Sequence, residues 1–394
     1  VMAIAFLPIA GNVLLGSGDV YPWAAPHEHH APAHATLEHQ ADAATLDDGH
    51  AASNDSLSAH DDYAPDEKTN HADATHATPV TDIATEHDSM PAVDLTHASQ
   101  TPGAIDAHTE QIYTAKKAAY LNAPFFIVRW IVFFAIWIGL SYTFWRKSVE
   151  QDSSGDPALT RQLERLSPLA IVLFAPTVTF ASFDLIMSLS PAWFSTIFGV
   201  YYFSGAMIAI FATMILVLAI LKNKGLIDDK AVNTEHFHDH GKFLFGFVIF
   251  WAYIAFSQYM LIWYASLPET TFWFVARGAT TVSADFNAWS IVSIALVIGH
   301  FFIPFLGLIS RHIKRNNTLL VCWAIYLLVF HWVDLWWLVM PELSTQLKFG
   351  VIELGCLLGL GGLFTGAAIW IGSLNAIVPL HDPRLGESLA FKNM

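Results

Sequence analysis

Long apolar runs separated by short polar segments occupy most of the chain after residue 123. Seven of these runs are long enough to cross a bilayer. They cover roughly 124–145, 168–190, 194–221, 242–266, 287–309, 318–340 and 351–374. A helix of about 20 residues spans the ~30 Å hydrocarbon core at ~1.5 Å per residue. The pattern therefore predicts an all-α fold, a polytopic transmembrane helix bundle of seven spans over residues 124–380.

A shorter apolar run, residues 1–16, precedes these spans. We interpret it as the end of a further transmembrane helix, which brings the expected number to about eight. The first helices of the bundle, an even number of them, are then expected before residue 1. A signal peptide is the alternative, although no basic residues stand in front of the apolar run.

The segment between these parts, residues 17–123, has a different composition. Its central part holds 12 of the 19 histidines of the chain, and residues 27–110 carry 17 of the 34 acidic residues with Lys68 as the only Lys or Arg. The net charge of −15 therefore comes from this segment rather than from the spans. With so few large apolar residues it is predicted to be a largely disordered loop. It is either a metal-buffering tract or a solvated insertion.

The positive charges predict the orientation of the bundle. Lys and Arg residues cluster in every second connection, and such connections face the cytoplasm. They are Arg146, Lys147, Arg161, Arg165, Lys222, Lys224, Lys242, Arg311, Lys314, Arg315, Arg384 and Lys392. The tail 381–394 is then cytoplasmic and the His-rich loop is on the outer side. Tryptophans near the helix ends are expected to form an interfacial belt. They are Trp130, Trp145, Trp193, Trp263, Trp289, Trp336 and Trp337.

No cofactor motif is present in the spans. Cys322 and Cys356 have no second cysteine at the spacing of a metal or haem-attachment site. The triplet His236, His238 and His240 flanks a helix start and is interpreted as polar flank rather than as a metal site. No basic patch with interleaved aromatic residues suggests nucleic acid.

Ionisable and amide side chains inside the spans are the most informative residues. Such groups are costly in hydrocarbon and are usually retained for a function. The candidates for a proton path are Asp184, His331, Asp334, Gln258, Tyr259 and His300. His331 and Asp334 are three residues apart and share a helix face. They could form a proton route or a pocket for a quinone head, and the alternative is hydrogen bonding between helices. Arg129 is expected to reach the membrane surface.

The two histidines also allow a different interpretation. His300 and His331 lie on different predicted helices at comparable depth, so that a haem held by both is a further hypothesis.

Four sequence blocks resemble an NrfD-like integral membrane protein of bacterial alternative complex III, a quinol-oxidising complex. Proteins of this kind are similar to the membrane subunit of polysulfide reductase. The blocks are FDLIMSLSPAWFSTIFGVYYFSGA (183–206), HDHGKFLFGFVIFWAYIAFSQYMLIWYASLPE (238–269), AWSIVSIALVIGHFFIPFLGLISRHIKR (288–315), and VDLWWLVMP with HDPRLGESL (333–341 and 381–389). The positions that match the family pattern include Asp184, His238, Asp239, Gln258, Glu269, His300 and Asp334. The chain departs from the pattern at Ser190, Ala192 and Thr270.

The resemblance implies a multi-pass subunit of the bacterial inner membrane without a redox centre of its own. Haem c and iron–sulfur clusters are then expected on partner subunits, and a quinone is a conceivable ligand. The implied partners are a multihaem cytochrome c, an iron–sulfur subunit, a sister NrfD-like membrane subunit, small membrane subunits and a haem–copper oxidase. The His-rich loop would be periplasmic and would lie outside the resemblance.

The sequence thus favours a membrane subunit of a quinol:electron-acceptor oxidoreductase, a scaffold with a proton-transfer path. A secondary transporter or channel is the first alternative, and a haem b-carrying membrane anchor is the second. Against a transporter, no pair of Gly- or Pro-broken helices recurs in matching halves of the chain.

Overall fold

The computed structural model of the protein describes residues 13–14, 21–24, 107–228, 231–279, 286–347 and 349–390. These residues form helices and two short 3₁₀ turns, and no strand occurs among them. The helices are α1 (Ala107–Lys117), α2 (Ala123–Ser154), α3 (Pro157–Leu185), α4 (Phe198–Asn223), α5 (Thr234–Ala265), α6 (Pro268–Ala276), α7 (Ala288–Leu308), α8 (Arg311–Arg315), α9 (Asn317–Leu343), α10 (Val351–Gly372) and α11 (Leu385–Ala390).

Seven of the described helices are long and apolar enough to cross a membrane, namely α2, α3, α4, α5, α7, α9 and α10. They coincide with the seven predicted runs, so the all-α polytopic bundle is confirmed. Several helices extend beyond the apolar run, as α2 does by reaching Ser154, because polar residues continue a helix once it has left the hydrocarbon.

Polar caps and a glycine explain where the spans begin and end. Asn122, Asn287 and Asn316 each accept a hydrogen bond from a backbone N–H in the first turn of α2, α7 and α9. Gly155 ends α2 with φ at 63°, a left-handed conformation that glycine adopts without strain. Asp156 then caps α3, so α2 and α3 are joined by a two-residue connection.

Connections from different parts of the chain meet at the two ends of the bundle. At one end, called here the Trp193 end, Trp193 donates to the carbonyl of Thr270 and Trp289 to that of Ser344. At the other, called the Arg315 end, Arg315 pairs with Glu235. Alternate connections therefore lie on the same side, as expected for antiparallel spans.

The tail after α10 returns to the Arg315 end. His381 is bonded to the backbone carbonyl of Asp152, and Arg384 pairs with Glu164. His236 contacts Ser388 through a 3.0 Å hydrogen bond.

The main core lies between α4, α5, α7 and α9. Its helices approach one another closely at glycine positions, where no side chain separates them. A Cβ atom on Gly299 would lie 2.1 Å from Cε1 of Phe330, and one on Gly307 would lie 1.9 Å from Cζ2 of Trp323. The glycines of α7 thus fix how near α9 can come. A second, smaller core joins α2 and α3 to Tyr21 and Trp23.

Helix α10 differs from every other described span because none of its apolar window is buried. Its glycines, Gly355, Gly359, Gly361, Gly362, Gly366 and Gly372, have no atom within 4 Å of an added Cβ. The other described residues therefore bury no part of the apolar window of α10.

Two predictions extend beyond the described residues. The partial span over residues 1–16 is described only at residues 13–14, and the His-rich part from 25 to 106 lies outside the description. The end of the predicted loop is described, and residues Ala107–Lys117 form a helix there. Lys117 attaches this helix to the bundle by donating to the carbonyls of Pro191 and Trp193.

Candidate functional site

Asp334 is the centre of a buried polar cluster within the bundle. Its carboxylate accepts a hydrogen bond from the hydroxyl of Tyr201 on α4 and one of 3.2 Å from Nε1 of Trp251 on α5. The residue is 1% exposed. Among the residues that the structure describes, no Lys or Arg lies within 4 Å of this carboxylate. Asp334 is thus held by neutral donors alone, and a bound proton would leave no cation unpaired.

His331 lies beside Asp334, one helical turn earlier on α9. Gly205 of α4 makes room for both. A Cβ atom on Gly205 would lie 2.8 Å from Cε1 of His331 and 3.8 Å from Oδ2 of Asp334. Nδ1 of His331 is buried and has no hydrogen-bond partner in the described part of the chain. The predicted proximity of His331 and Asp334 on one face is therefore correct.

His300 completes the cluster from α7. Its ring centroid is 6.4 Å from that of His331 and 4.2 Å from the ring of Trp251. The residue is fully buried, and within the described ranges neither ring nitrogen has a partner. Neutral imidazole can accept a proton at one nitrogen and release it from the other, so such a residue can relay protons.

A local distortion of α7 places His300. Residues Val297–Phe302 form a π-helical turn within the span. Pro304 follows and lacks the N–H that would bond to the carbonyl of His300. The hydroxyl of Tyr326 donates to the carbonyl of Gly299 at 2.9 Å, which satisfies one acceptor in this turn. Turns of this type frequently occur at functional sites.

The close packing of α7 and α9 bears on the haem hypothesis. A haem held by His300 and His331 would need a slot for the porphyrin plane between the two helices. Instead, the backbone of Gly299 lies against the ring of Phe330 on α9. The two histidines are therefore neighbours in a packed core, and the haem hypothesis stays a prediction.

Asp184, the other predicted acid, lies in a different environment. Oδ1 and Oδ2 of Asp184 accept 2.9 Å hydrogen bonds from Nη2 and Nε of Arg129, a fork-to-carboxylate ion pair between α2 and α3. Arg129 also stacks on Tyr120 at 3.9 Å. The expectation that Arg129 reaches the membrane surface is wrong, because it is 8% exposed and paired inside the protein. This geometry is typical of a structural ion pair, and a proton-carrying role of Asp184 stays a prediction.

Gln258 and Tyr259 lie apart from both acids, in the wall of a cleft between α5, α6 and α7. This α5–α7 cleft has a volume of about 660 Å³. Tyr201 and Trp251 border it too, so the residues that hold Asp334 also form part of the cleft wall. The predicted set is thus divided into three groups. They are Asp184 beside Arg129, Asp334 with His331 and His300, and the two cleft residues Gln258 and Tyr259.

A buried arginine at the Trp193 end has no counterpart in the sequence predictions. Arg277 is fully buried, pairs with Glu342 at 3.0 Å and stacks over the ring of Trp273 at 3.4 Å. Trp273 in turn stacks with Trp193 at 4.3 Å. Burial lowers the pKa of Arg277 to about 10, while Glu342 acts in the opposite direction. This arrangement fixes the connection between α5 and α7 to the end of α9.

The prediction of a tryptophan belt is wrong for four of its seven residues, whereas Trp145 and Trp263 are 43% and 54% exposed. Trp130, Trp193, Trp289 and Trp337 are all buried within the protein. Their indole rings fill the core, as with Trp289, whose N–H is bonded to a loop carbonyl inside the molecule. The sequence signal for this is weak, because interfacial and buried tryptophans occupy the same positions near helix ends.

Two comparisons with known proteins gave no match. No protein-family model matches the chain, and no curated protein matches it. The membership expected from the four sequence blocks therefore stays a prediction.

Proposed function

We propose that this chain is an integral membrane subunit of a respiratory quinol:electron-acceptor oxidoreductase of the alternative complex III type. Its own contribution would be a scaffold and a proton-transfer path, with haem c and iron–sulfur clusters carried by partner subunits. The observation that carries the proton role is the buried cluster of Asp334, His331 and His300, which combines a carboxyl without a cation partner and ring nitrogens without hydrogen-bond partners in the described ranges. The respiratory assignment is supported by the sequence resemblance.

The position of the cluster is compatible with proton release on the outer side. Asp334 lies 17 residues after the start of α9 at Asn317 and nine before its end at Leu343, hence closer to the Trp193 end. The positive-inside rule assigns this end to the periplasm. A group that exchanges protons here would act near the side on which an outward-facing quinol site releases them.

The ring separation fits a relay. The 6.4 Å between the ring centroids of His300 and His331 is too long for a direct hydrogen bond but short enough for one bridging water or a ring rotation. Tyr201 would hold Asp334 in place by donating to Oδ1, and Trp251 by donating to Oδ2.

The assignment to a complex is tested by purifying the tagged chain in mild detergent, with mass spectrometry and a reduced-minus-oxidised spectrum of what accompanies it. Co-purification of multihaem and iron–sulfur subunits is the expected result. A chain that purifies alone and colourless would contradict the assignment and would favour a transporter.

The proton role is tested in the assembled complex with Asp334→Asn. The amide keeps the size and the acceptor oxygen but cannot exchange a proton, so we expect turnover of the complex to fall by about tenfold or more. Glu164→Gln is the comparison, because Glu164 is a half-exposed carboxylate at the Arg315 end, away from the cluster. Unchanged proton stoichiometry and turnover in Asp334→Asn would exclude the proton role while leaving the scaffold role intact.

A further inference from the structure

The helices α2 and α3 carry a group of basic side chains where they meet at the Arg315 end. They are Arg146, Lys147, Arg161 and Arg165, and the three arginines are exposed. Arg146 directly follows the apolar run 124–145, and Arg165 lies three residues before the apolar run 168–190. Both arginines therefore lie where the hydrocarbon ends and the lipid head groups begin.

A hydrogen bond between the two helices places these arginines at a similar depth. Nζ of Lys147 donates to Oε1 of Gln162 at 2.6 Å. The helices run antiparallel, so Arg146, one residue before Lys147, and Arg165, three residues after Gln162, both lie on the hydrocarbon side of this bond. At ~1.5 Å per residue they differ in depth by less than one helical turn. Packed helices are roughly 8–10 Å apart, so one phosphate group can reach both side chains.

The three exposed arginines have no acidic partner in the described part of the chain. No carboxylate oxygen of these residues lies within 4 Å of their guanidinium nitrogens. Glu164, their neighbour on α3, pairs with Arg384 of the tail instead. Glu150 lies one turn beyond Arg146 toward the α2–α3 connection, farther from the hydrocarbon. The part of the two helices next to the hydrocarbon therefore carries net positive charge.

Exposed apolar surface continues from the arginines into the hydrocarbon. Leu169 is 52% and Val172 66% exposed, one and two turns after Arg165 on α3. On α2 at a similar depth, Gly139 has no atom within 4 Å of an added Cβ, so no described side chain covers the helix there. A lipid whose head is held at the arginines can therefore lay an acyl chain along α3 without displacing any described part of the protein.

We propose that this surface of α2 and α3 binds an anionic phospholipid, with its phosphate at Arg146 and Arg165. An acyl chain lies along Leu169 and Val172. Guanidinium groups donate to phosphate oxygens in a forked geometry, which favours arginine for this contact. A zwitterionic lipid brings an ammonium group as well, and the net positive charge of the site disfavours it. The inference goes beyond the proposed function and does not depend on it, because it concerns the contact between the bundle and its lipid.

The proposal is tested by native mass spectrometry of the purified protein after exchange into equal amounts of phosphatidylglycerol and phosphatidylcholine with the same acyl chains. The unmodified protein is expected to retain more phosphatidylglycerol than phosphatidylcholine. Arg146→Gln together with Arg165→Gln should lower the ratio of the two bound lipids by about fivefold for each arginine removed. Equal retention of the two lipids by the unmodified protein would overturn the proposal.

Lys224→Gln together with Arg311→Gln is the matched control. Both residues are exposed and basic and lie at the Arg315 end, after α4 and in α8, and this double variant loses the same charge. Its lipid ratio should equal that of the unmodified protein. An equal fall in both double variants would show attraction to surface charge in general and would overturn the site on α2 and α3.

Thermal unfolding in a zwitterionic detergent distinguishes a lipid from a free phosphate ion. Added short-chain phosphatidylglycerol should raise the unfolding temperature of the unmodified protein more than inorganic phosphate at the same concentration, because only the lipid covers Leu169 and Val172. Equal shifts would show a site for phosphate alone and would overturn the lipid assignment. Without added lipid, the two double variants should unfold at the same temperature, which excludes misfolding as the reason for lost lipid.

Discussion

The two buried aspartates of this protein are of one residue type but have opposite surroundings. Asp184 faces a guanidinium in a two-bond ion pair, whereas Asp334 is held by a phenol and an indole. A neighbouring guanidinium stabilises the charged form of a carboxylate, whereas a carboxyl group held by neutral donors has no such charge beside it. The chemical properties of each buried aspartate thus depend on its hydrogen-bond partners and not on how deeply it is buried.

The ion pair should be essential to folding. Asp184→Asn leaves the buried guanidinium of Arg129 without its counter-charge, and we expect the free energy of unfolding to fall by about 3–5 kcal/mol. Replacing both residues together, with Arg129→Met and Asp184→Leu, should recover most of the loss. The measurement is thermal or denaturant unfolding in detergent, arranged as a double-mutant cycle.

Glu164→Gln is the control for this change, since it breaks the exposed pair with Arg384 at the Arg315 end. Its expected effect is below about 1 kcal/mol. Equal effects of Asp184→Asn and Glu164→Gln would contradict the structural role of the buried pair.

At the scale of elements, the positions of the glycines determine how closely the helices of the bundle approach one another. In α7 and α4, glycines allow α9 and its histidine to approach, while in α10 the glycines face no neighbour among the described residues. The same residue type thus serves close packing in one span and has no visible packing role in another.

Gly299→Ala should therefore destabilise the bundle. The new methyl would overlap the ring of Phe330, and overpacking of this kind costs about 1–3 kcal/mol. Gly359→Ala is the matched control, because open space surrounds that position and alanine favours a helix. Unfolding of the isolated chain should separate the two. A Gly299→Ala chain as stable as its Gly359→Ala counterpart would show that α7 and α9 do not pack as described.

The sequence predicts the seven spans well because length and hydrophobicity alone determine them. It also places His331 and Asp334 on one face, since both lie on one helix. The sequence cannot show which of the six proton-path candidates lie together, because each of them contacts residues outside its own helix. Arg129 is predicted to be a surface residue because its partner, Asp184, lies on a different helix. Arg277 stands outside the apolar runs, where nothing in the pattern indicates full burial.

For the whole molecule, the two ends are held by different means. The Arg315 end relies on exposed or half-exposed ion pairs, while the Trp193 end combines buried Arg277 with the attachment of α1 through Lys117. Half-burial of Lys117 lowers its pKa to about 8. When α1 is detached, the side chain returns to its ordinary pKa of about 10.4.

The attachment of α1 should therefore depend on pH. Between about pH 8 and pH 10 the detached form binds more protons at Lys117 than the attached form, so raising the pH over this window favours attachment. Hydrogen exchange of α1, corrected for the intrinsic rate at each pH, should show rising protection. Lys117→Met should abolish this dependence and Lys116→Met, one residue away, should keep it. Protection that falls with pH in the unmodified chain would show that the charged form is the one that attaches.

The isolation of α10 has a consequence for mutational tolerance. A crossing helix that buries none of its apolar window against the other described residues is constrained only by the need to remain apolar and helical, and any of several residues meets that need. Six glycines are a poor choice under such a constraint, since each lowers helix propensity without a packing benefit inside the described part of the chain. A complete substitution scan of α10 would show whether the helix contacts lipid alone or packs against another molecule. Free exchange among apolar residues would indicate contact with lipid alone, whereas rejection of larger residues along one side would show that side to be occupied in the cell.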